Sequence, residues 1–179
     1  MRKRRELREG ACYHVSARAN NKEMILADGR IKELFLDVVK RAKKKFDFQV
    51  ENFCIMGNHV HMIIRPGRGE CLSSIMQWIL GVFAMAYNRR CGTSGHIWGE
   101  RFFSRIIRSL REFMLIFGYI DDNPVSAGQV DDRRKWMWGG LRHVRTGCRD
   151  VLSESAGYAR LLFPEHSVLL LPCKDRFLS

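Results

Sequence analysis

The sequence predicts an α+β domain of the ferredoxin-like class, in which an antiparallel sheet carries helices on its faces. Segments with strand-like alternation and segments with helical periodicity follow one another in the order β-α-β-β-α-β-α, which is typical of a split βαβ unit. The 179 residues, of which 46% are hydrophobic, suit one compact domain. The sequence contains no internal repeat.

The first predicted strand runs from Cys12 to Arg18, where β-branched and aromatic residues alternate with other side chains. Asp28 is a suitable N-cap for the first helix. Apolar residues at offsets of three and four indicate that helix: Ile31, Leu34, Phe35, Val38, Val39, Ala42 and Phe46.

A predicted hairpin follows the first helix. Residues 48–56 form its first strand, Gly57-Asn58 its tight turn, and residues 59–65 its second strand, which Pro66-Gly67 ends. A second helix is predicted over residues 72–90, with its apolar residues on one stripe.

A fourth strand is predicted around residues 102–108. A short helix then runs from Leu110 to Asp122 and is closed by Asn123-Pro124. The regular pattern weakens after residue 150, which divides the chain into two parts. We predict a domain over residues 1–150, with a basic arm at 1–9, and a tail of unknown role at 151–179, in which residues 168–171 are a candidate edge strand or packing segment.

The charge of the chain favours a polyanionic partner. Lys and Arg number 31 against 19 Asp and Glu, which gives a net charge of +12. Nucleic acid is the first candidate and an acidic membrane surface the second. The longest apolar stretch, residues 75–87, is too short to span a bilayer, and no signal-peptide pattern is visible. We therefore expect a soluble cytoplasmic protein without a membrane partner.

The cysteines do not suggest a disulfide framework or a zinc site, because they are scattered without a C-x-x-C pair. We expect reduced, mostly buried thiols. The six positions are Cys12, Cys54, Cys71, Cys91, Cys148 and Cys173.

The predicted third strand contains two histidines, His59 and His61, in an H-x-H pattern. Alternate side chains of a strand share a face, so both imidazoles point the same way, about 6.6 Å apart along the chain. Two imidazoles at that spacing can bind one cation. The alternative is a pair of polar residues on the solvated face of a half-buried strand.

Tyr119 and Asn123 form a second pair of side chains that could take part in catalysis or metal binding. Residues four apart on a helix lie one above the other, so the Asn123 carbonyl oxygen would be a third ligand beside the Tyr119 phenol. Taken alone, Tyr119 could equally be a core residue and Asn123 a C-cap before Pro124. His14 could approach the same place if the first and third strands pair, although a hydrogen-bonded strand histidine without a further role is the alternative.

Three motifs in order carry a resemblance to a known family. They are Met56-Gly57-Asn58-His59-Val60-His61, Trp98-Gly99-Glu100-Arg101-Phe102 and Tyr119-x-x-x-Asn123-Pro124-Val125-x-Ala127-Gly128. With them, the chain resembles the IS200-like transposases, which are single-tyrosine HUH nucleases, and above all their REP-associated tyrosine transposase branch. The resemblance extends from about Tyr13 to Trp138.

The resemblance implies a ferredoxin-like nuclease domain whose catalytic tyrosine lies on a short helix. Tyr119 matches the nucleophile, His59 and His61 match the metal-binding pair, and Asn123 matches the third metal ligand. It further implies a divalent metal cofactor, Mg²⁺ or Mn²⁺, and single-stranded or hairpin DNA as the partner. Relatives act as dimers or as monomers, so we expect a monomer or a homodimer.

Basic residues in the N-terminal arm, at the end of the first predicted strand and around the fourth are candidates for contacts with DNA phosphates. Interleaving of Phe102 and Phe103 with arginines also suits unpaired bases, although core packing is the alternative for at least one of the two rings. The DNA-binding candidates are Arg2, Lys3, Arg4, Arg5, Arg18, Arg101, Arg105 and Arg108.

These observations together predict a metal-dependent single-stranded DNA endonuclease and strand transferase that forms a 5′-phosphotyrosine intermediate, at hairpin-bearing DNA. The alternative is a non-catalytic RRM-like nucleic-acid-binding module, which leaves the histidine pair and the Tyr119/Asn123 pair unexplained. A metal phosphohydrolase for a small substrate would not need the net charge of +12.

Overall fold

The computed structural model describes residues 7–153 and Phe163. The predicted DNA contacts at Arg2, Lys3, Arg4 and Arg5 therefore lie outside the described residues, as does the segment 168–171. The elements of the described part are β1 (Cys12–Arg18), α1 (Gly29–Lys45), β2 (Phe48–Ile55), β3 (His59–Pro66), α2 (Leu72–Cys91), β4 (Phe103–Ile107), α3 (Leu110–Ser126) and α4 (Gly140–Arg145).

The four strands form one antiparallel sheet in the order β2-β3-β1-β4. This order and the element sequence confirm the ferredoxin-like α+β fold. The predicted cap of α1 is also confirmed, because the Asp28 side chain accepts a hydrogen bond from the Arg30 N–H at 2.6 Å. None of the described helices is both long enough and apolar enough to cross a membrane.

Both faces of the sheet are packed, and strand alternation decides which residue serves which face. On one face a core forms with α1 and α2, and β3 contributes Val60, Met62 and Ile64 to it. On the other face Ile63 packs with apolar residues of α3, among them Phe117. The central strand β3 is therefore buried from both sides, and its odd-numbered residues point toward α3.

Helix α3 is longer than the sequence predicted, since it continues through Asn123-Pro124 to Ser126. Proline removes only one backbone N–H donor. The Asn123 carbonyl still accepts a hydrogen bond from the Ala127 N–H at 3.0 Å, and Gly128, with φ +64°, follows the helix end. Asn123 is consequently a residue of the last helical turns and not the cap.

The chain after α4 returns to the core. Val151 and Leu152 are buried with the residues of α1 and α2, and the Ser153 N–H donates to the Val50 carbonyl at 2.9 Å. Phe163 stacks on Phe117 of α3, with ring centroids 4.4 Å apart. The division of the chain at residue 150 stays a prediction.

The five described cysteines are free thiols, in agreement with the sequence. Cys12, Cys54 and Cys148 are buried, whereas Cys71 and Cys91 are exposed. Cys173 lies outside the described residues.

Ser109 is the N-cap of α3, and its hydroxyl accepts a hydrogen bond from the Glu112 N–H at 3.1 Å. We expect Ser109→Ala to lower the free energy of unfolding by about 1 kcal/mol, because an N-terminal N–H then loses its partner. Ser109→Asp supplies an equivalent acceptor and should retain stability. Urea denaturation of the three proteins checks this, and equal losses in both variants would contradict it.

Candidate active site

Helix α3 brings the four sequence-predicted site residues together against the sheet. The ring centroids of His59 and His61 lie 5.0 Å apart, and that of Tyr119 lies 5.4 Å from His61. The Asn123 Oδ1 atom lies 3.3 Å from Nε2 of His59. The convergence expected from two separate sequence motifs is therefore present in the fold.

Exposure decides between the alternatives that the sequence left open. His61 is only 7% exposed, so it does not lie on a solvated strand face. Tyr119 is 51% exposed and is therefore not a core residue. Asn123 is buried inside α3, with its amide oxygen turned toward His59.

His14 is a third imidazole at the same place. Its Nε2 atom lies 3.0 Å from Nδ1 of His61, and the two rings stack at 5.2 Å. Its ring also meets the Tyr119 ring edge-on at 6.2 Å. The sequence indicated that His14 could reach this place if β1 pairs with β3, and the two strands do pair. The sequence did not decide the role of His14.

Asn58 was interpreted from the sequence only as a turn residue, but it orients His59. Its Nδ2 atom donates to the Lys22 carbonyl at 3.2 Å, which turns Oδ1 toward Nδ1 of His59 at 2.7 Å. Both ring nitrogens of His59 face an amide oxygen, which only accepts, and the contact at Nδ1 is shorter than the 3.3 Å contact at Nε2, so the geometry favours the tautomer with its proton on Nδ1. The lone pair on Nε2 then faces the Asn123 amide oxygen, which is a second acceptor.

Burial keeps the three imidazoles neutral. Burial, together with the nearby His59, His14 and Arg18, lowers the pKa of His61 to about 3. Burial, assisted by Arg105, lowers the pKa of His14 to about 4. The pKa of His59 is lowered by burial and then by Arg18. Neutral imidazoles have the lone pair that binding to a metal requires.

The described residues contain no group of three or more His, Cys, Asp or Glu side chains suited to a metal ion. A metal centre at this place would therefore use the Asn123 amide oxygen with the two imidazoles, and water for the remaining positions. The facing lone pairs of His59 Nε2 and Asn123 Oδ1 fit such an ion. The 3.3 Å between these two atoms is short enough for both to hold one ion.

A buried polar pair fixes α3 to the sheet. Asn52 of β2 is fully buried, and its Nδ2 atom donates to Asp121 Oδ1 at 3.0 Å and to the Phe117 carbonyl at 3.3 Å. Its Oδ1 atom accepts from the Phe53 N–H at 2.8 Å. A Cβ atom on Gly140 would lie 2.2 Å from that oxygen, so only glycine fits there. This pair holds the helix segment that carries Tyr119 and Asn123.

Two of the predicted DNA contacts lie beside the histidines. Arg18 is exposed and pairs in register with His59. Arg105 pairs in register with His14 and forms an ion pair with Glu112 at 2.7 Å.

The other described DNA-binding candidates, Arg101 and Arg108, are exposed beyond the two ends of β4. Arg108 lines a hollow of about 790 Å³ together with Arg8 and Arg65, at the start of α3. Neither Tyr119 nor the three histidines line this hollow, so it is distinct from the histidine cluster.

Fold and site together define a class of protein: a ferredoxin-like domain with paired strand histidines under a tyrosine-bearing helix. Residues 8–123 match the family model "Transposase IS200 like", and His14, His59, His61, Tyr119 and Asn123 all lie within that match. The chain belongs to the IS200-like transposase family and is an enzyme of the transposase class.

Two relatives agree with this assignment. A Haemophilus influenzae protein named as a REP-associated tyrosine transposase is 21% identical over 161 residues, which covers 84% of this chain and 88% of the relative. The solved structure of a REP-associated tyrosine transposase bound to a REP hairpin has a TM-score of 0.73 at 20% identity, covering 100% of this chain and 99% of that chain. The similarity to this solved structure confirms the fold.

We expect Asn52→Ala to lower the free energy of unfolding by about 1–3 kcal/mol, because the buried Asp121 carboxylate loses a donor. Asp122→Ala is the matched control. Asp122 is the exposed neighbour of Asp121 and pairs with Arg133 at 3.2 Å, so its loss should cost less than about 1 kcal/mol. Urea denaturation measures both, and equal costs would contradict the anchoring role of Asn52.

Proposed function

We propose that the chain is a metal-dependent single-stranded DNA endonuclease and strand transferase that acts at hairpin-bearing DNA. The observation that carries this proposal is the exposed Tyr119 side chain, whose ring lies beside the buried imidazole of His61, close to His59 and the Asn123 amide oxygen. Membership of the transposase family supports it, as does the likeness to a REP-associated transposase whose structure contains a REP hairpin.

The residues that would hold a divalent ion are His59 and His61 through Nε2, and Asn123 through Oδ1. Mg²⁺ prefers oxygen ligands and water, whereas imidazole also suits Mn²⁺, so this mixed set is compatible with both. When bound, the ion supplies Lewis-acid relief of charge on the non-bridging oxygens of the phosphate. The chain itself fixes both imidazoles through their Nδ1 atoms, to Asn58 and to His14.

Tyr119 supplies the nucleophile in this proposal. Its phenolic oxygen gives up its proton and attacks the phosphorus, the bond from phosphorus to the 3′ oxygen breaks, and the leaving 3′ oxygen takes up a proton, so that the proton count is unchanged and the strand ends in a free 3′-OH. The chain is then joined to DNA through a 5′-phosphotyrosine. Because the phosphodiester energy is retained in that bond, attack by another 3′-OH rejoins DNA and releases the Tyr119 hydroxyl. The guanidinium of Arg18, beside His59, is placed to bind a neighbouring phosphate.

We expect Tyr119→Phe to abolish a covalent DNA adduct while it retains DNA binding, because the ring remains and only the nucleophilic oxygen is lost. The assay is a denaturing gel of labelled, hairpin-bearing single strands incubated with Mg²⁺ or Mn²⁺. His59→Ala and removal of metal by EDTA should also abolish the slow band. Tyr87→Phe, on α2 across the sheet, is the matched control and should form the adduct.

Tight DNA binding by the unaltered protein without any adduct in either metal would contradict the nuclease. That result would instead support the non-catalytic RRM-like module.

We expect His14→Leu to weaken Mn²⁺ binding about 10-fold to 100-fold, because His61 loses the partner that orients its ring. His14→Gln provides an acceptor at a similar reach and should recover most of the affinity. His96→Leu, at an exposed position, should have no effect. Calorimetric titration with Mn²⁺ measures the affinities, and unchanged binding by His14→Leu would show that His14 does not position His61.

A further inference from the structure

Helix α3 packs mainly on β2 and β3 and covers Cys12 at the start of β1, whereas Arg18, Phe103 and Arg105 on the β1–β4 side of the same sheet face are exposed. Glu112 of α3 pairs with Arg105 at 2.7 Å.

Phe102, which precedes β4, and Phe103, its first residue, differ in their exposure to solvent. Phe102 is 7% exposed and belongs to the core with α1 and α2, whereas Phe103 is 54% exposed. Phe102 is therefore a core residue, and Phe103 is the ring that remains available to contact a base.

Phe103 lies in the same row of the sheet as the histidine site. It pairs in register with Ser16, which pairs on its other side with His61. Residues directly opposite in neighbouring antiparallel strands share a face, so Phe103 and His61 point to the same side. The Phe103 ring meets the His14 ring edge-on, with centroids 6.3 Å apart.

The exposed large hydrophobic side chains of the described residues include two aromatic rings, Phe103 and Tyr119. Both meet the same imidazole edge-on, since His14 lies 6.3 Å from one centroid and 6.2 Å from the other. The aromatic surface that the described part of the chain presents to solvent is thus concentrated around one point. A phenyl ring left half in water beside a polar cluster gains little from packing, which favours a binding role.

Charge at this open surface is positive. Arg105 follows Phe103 by two residues on the same face of β4, and Arg18 lies on that face of β1. Arginines that follow a backbone and aromatic rings that stack on bases are the combination with which proteins bind single strands. A duplex keeps its bases stacked on one another and offers no free base face to a lone phenyl ring.

We propose that Phe103 is a stacking platform for an unpaired nucleobase adjacent to the phosphate that Tyr119 attacks. This inference rests on the proposed function and specifies one substrate contact of the same site. The base lies flat on the Phe103 ring, and the strand crosses the open β1–β4 surface toward Tyr119. Stacking tolerates every base, so the platform contributes affinity for single strands without reading their sequence.

The test uses the full-length protein and a 20-nucleotide dT strand with one 2-aminopurine, whose fluorescence is quenched by stacking. We expect Phe103→Leu, which keeps apolar volume but removes the π face, to weaken binding of this strand about 5-fold or more and to reduce the quenching. Phe103→Trp should retain both the affinity for the strand and the fluorescence quenching. Met85→Leu changes an exposed apolar residue on α2 and is the matched control.

Binding of the same strand annealed to dA should change less than 2-fold in Phe103→Leu. Unchanged single-strand affinity and quenching in Phe103→Leu, with the Tyr119 adduct still formed, would overturn the platform and leave the proposed function standing. A protein that neither binds the strand nor forms an adduct would overturn the proposed function, and the platform with it.

Discussion

The partial cover of one sheet face by α3 is the constraint on which the site depends. The helix buries Ile63 and closes a second core over β2 and β3, while Phe103 on β4 stays in solvent. The histidines lie at the boundary between these regions. A fully covered face would exclude a substrate, and a fully open face would hydrate the imidazoles. The boundary allows a desolvated donor set to be reached from outside.

Desolvation and hydrogen bonding both favour the proposed role of His59 and His61 as metal ligands. Burial favours the neutral form of each ring, and the net positive surroundings favour it further. Asn58 and His14 each take the Nδ1 side of one of the two paired histidines, so the Nε2 sides of His59 and His61 remain available. These two contacts hold both rings in one orientation in the folded protein.

The strands and the hairpin formed by β2 and β3 could be predicted because alternation and turn residues are local signals. The H-x-H and Tyr-x-x-x-Asn spacings likewise showed which side chains share a face. The roles of His14, Asn58 and Asn52 could not be predicted, since each depends on a partner from another element. Asn52 looks like an ordinary strand residue in the sequence. Its function appears only once β2 lies beneath Asp121. Phe102 is buried in the core with α1 and α2, and the exposure of Phe103 on the other side could not be predicted because it depends on how far α3 covers that face.

The continuation of α3 past Pro124 has a consequence for the chemistry. Tyr119 and Asn123 share a helical face only if the turn that joins them is intact, because the i to i+4 relation depends on it. A helix that ended at Asp122 would leave the Asn123 side chain free to follow the loop, and its amide oxygen would not be fixed opposite His59. The hydrogen bond from the Ala127 N–H to the Asn123 carbonyl extends regular geometry beyond that point. The same turn thus holds Tyr119 and Asn123 at a constant separation, and the Asn52–Asp121 pair fixes both against the sheet.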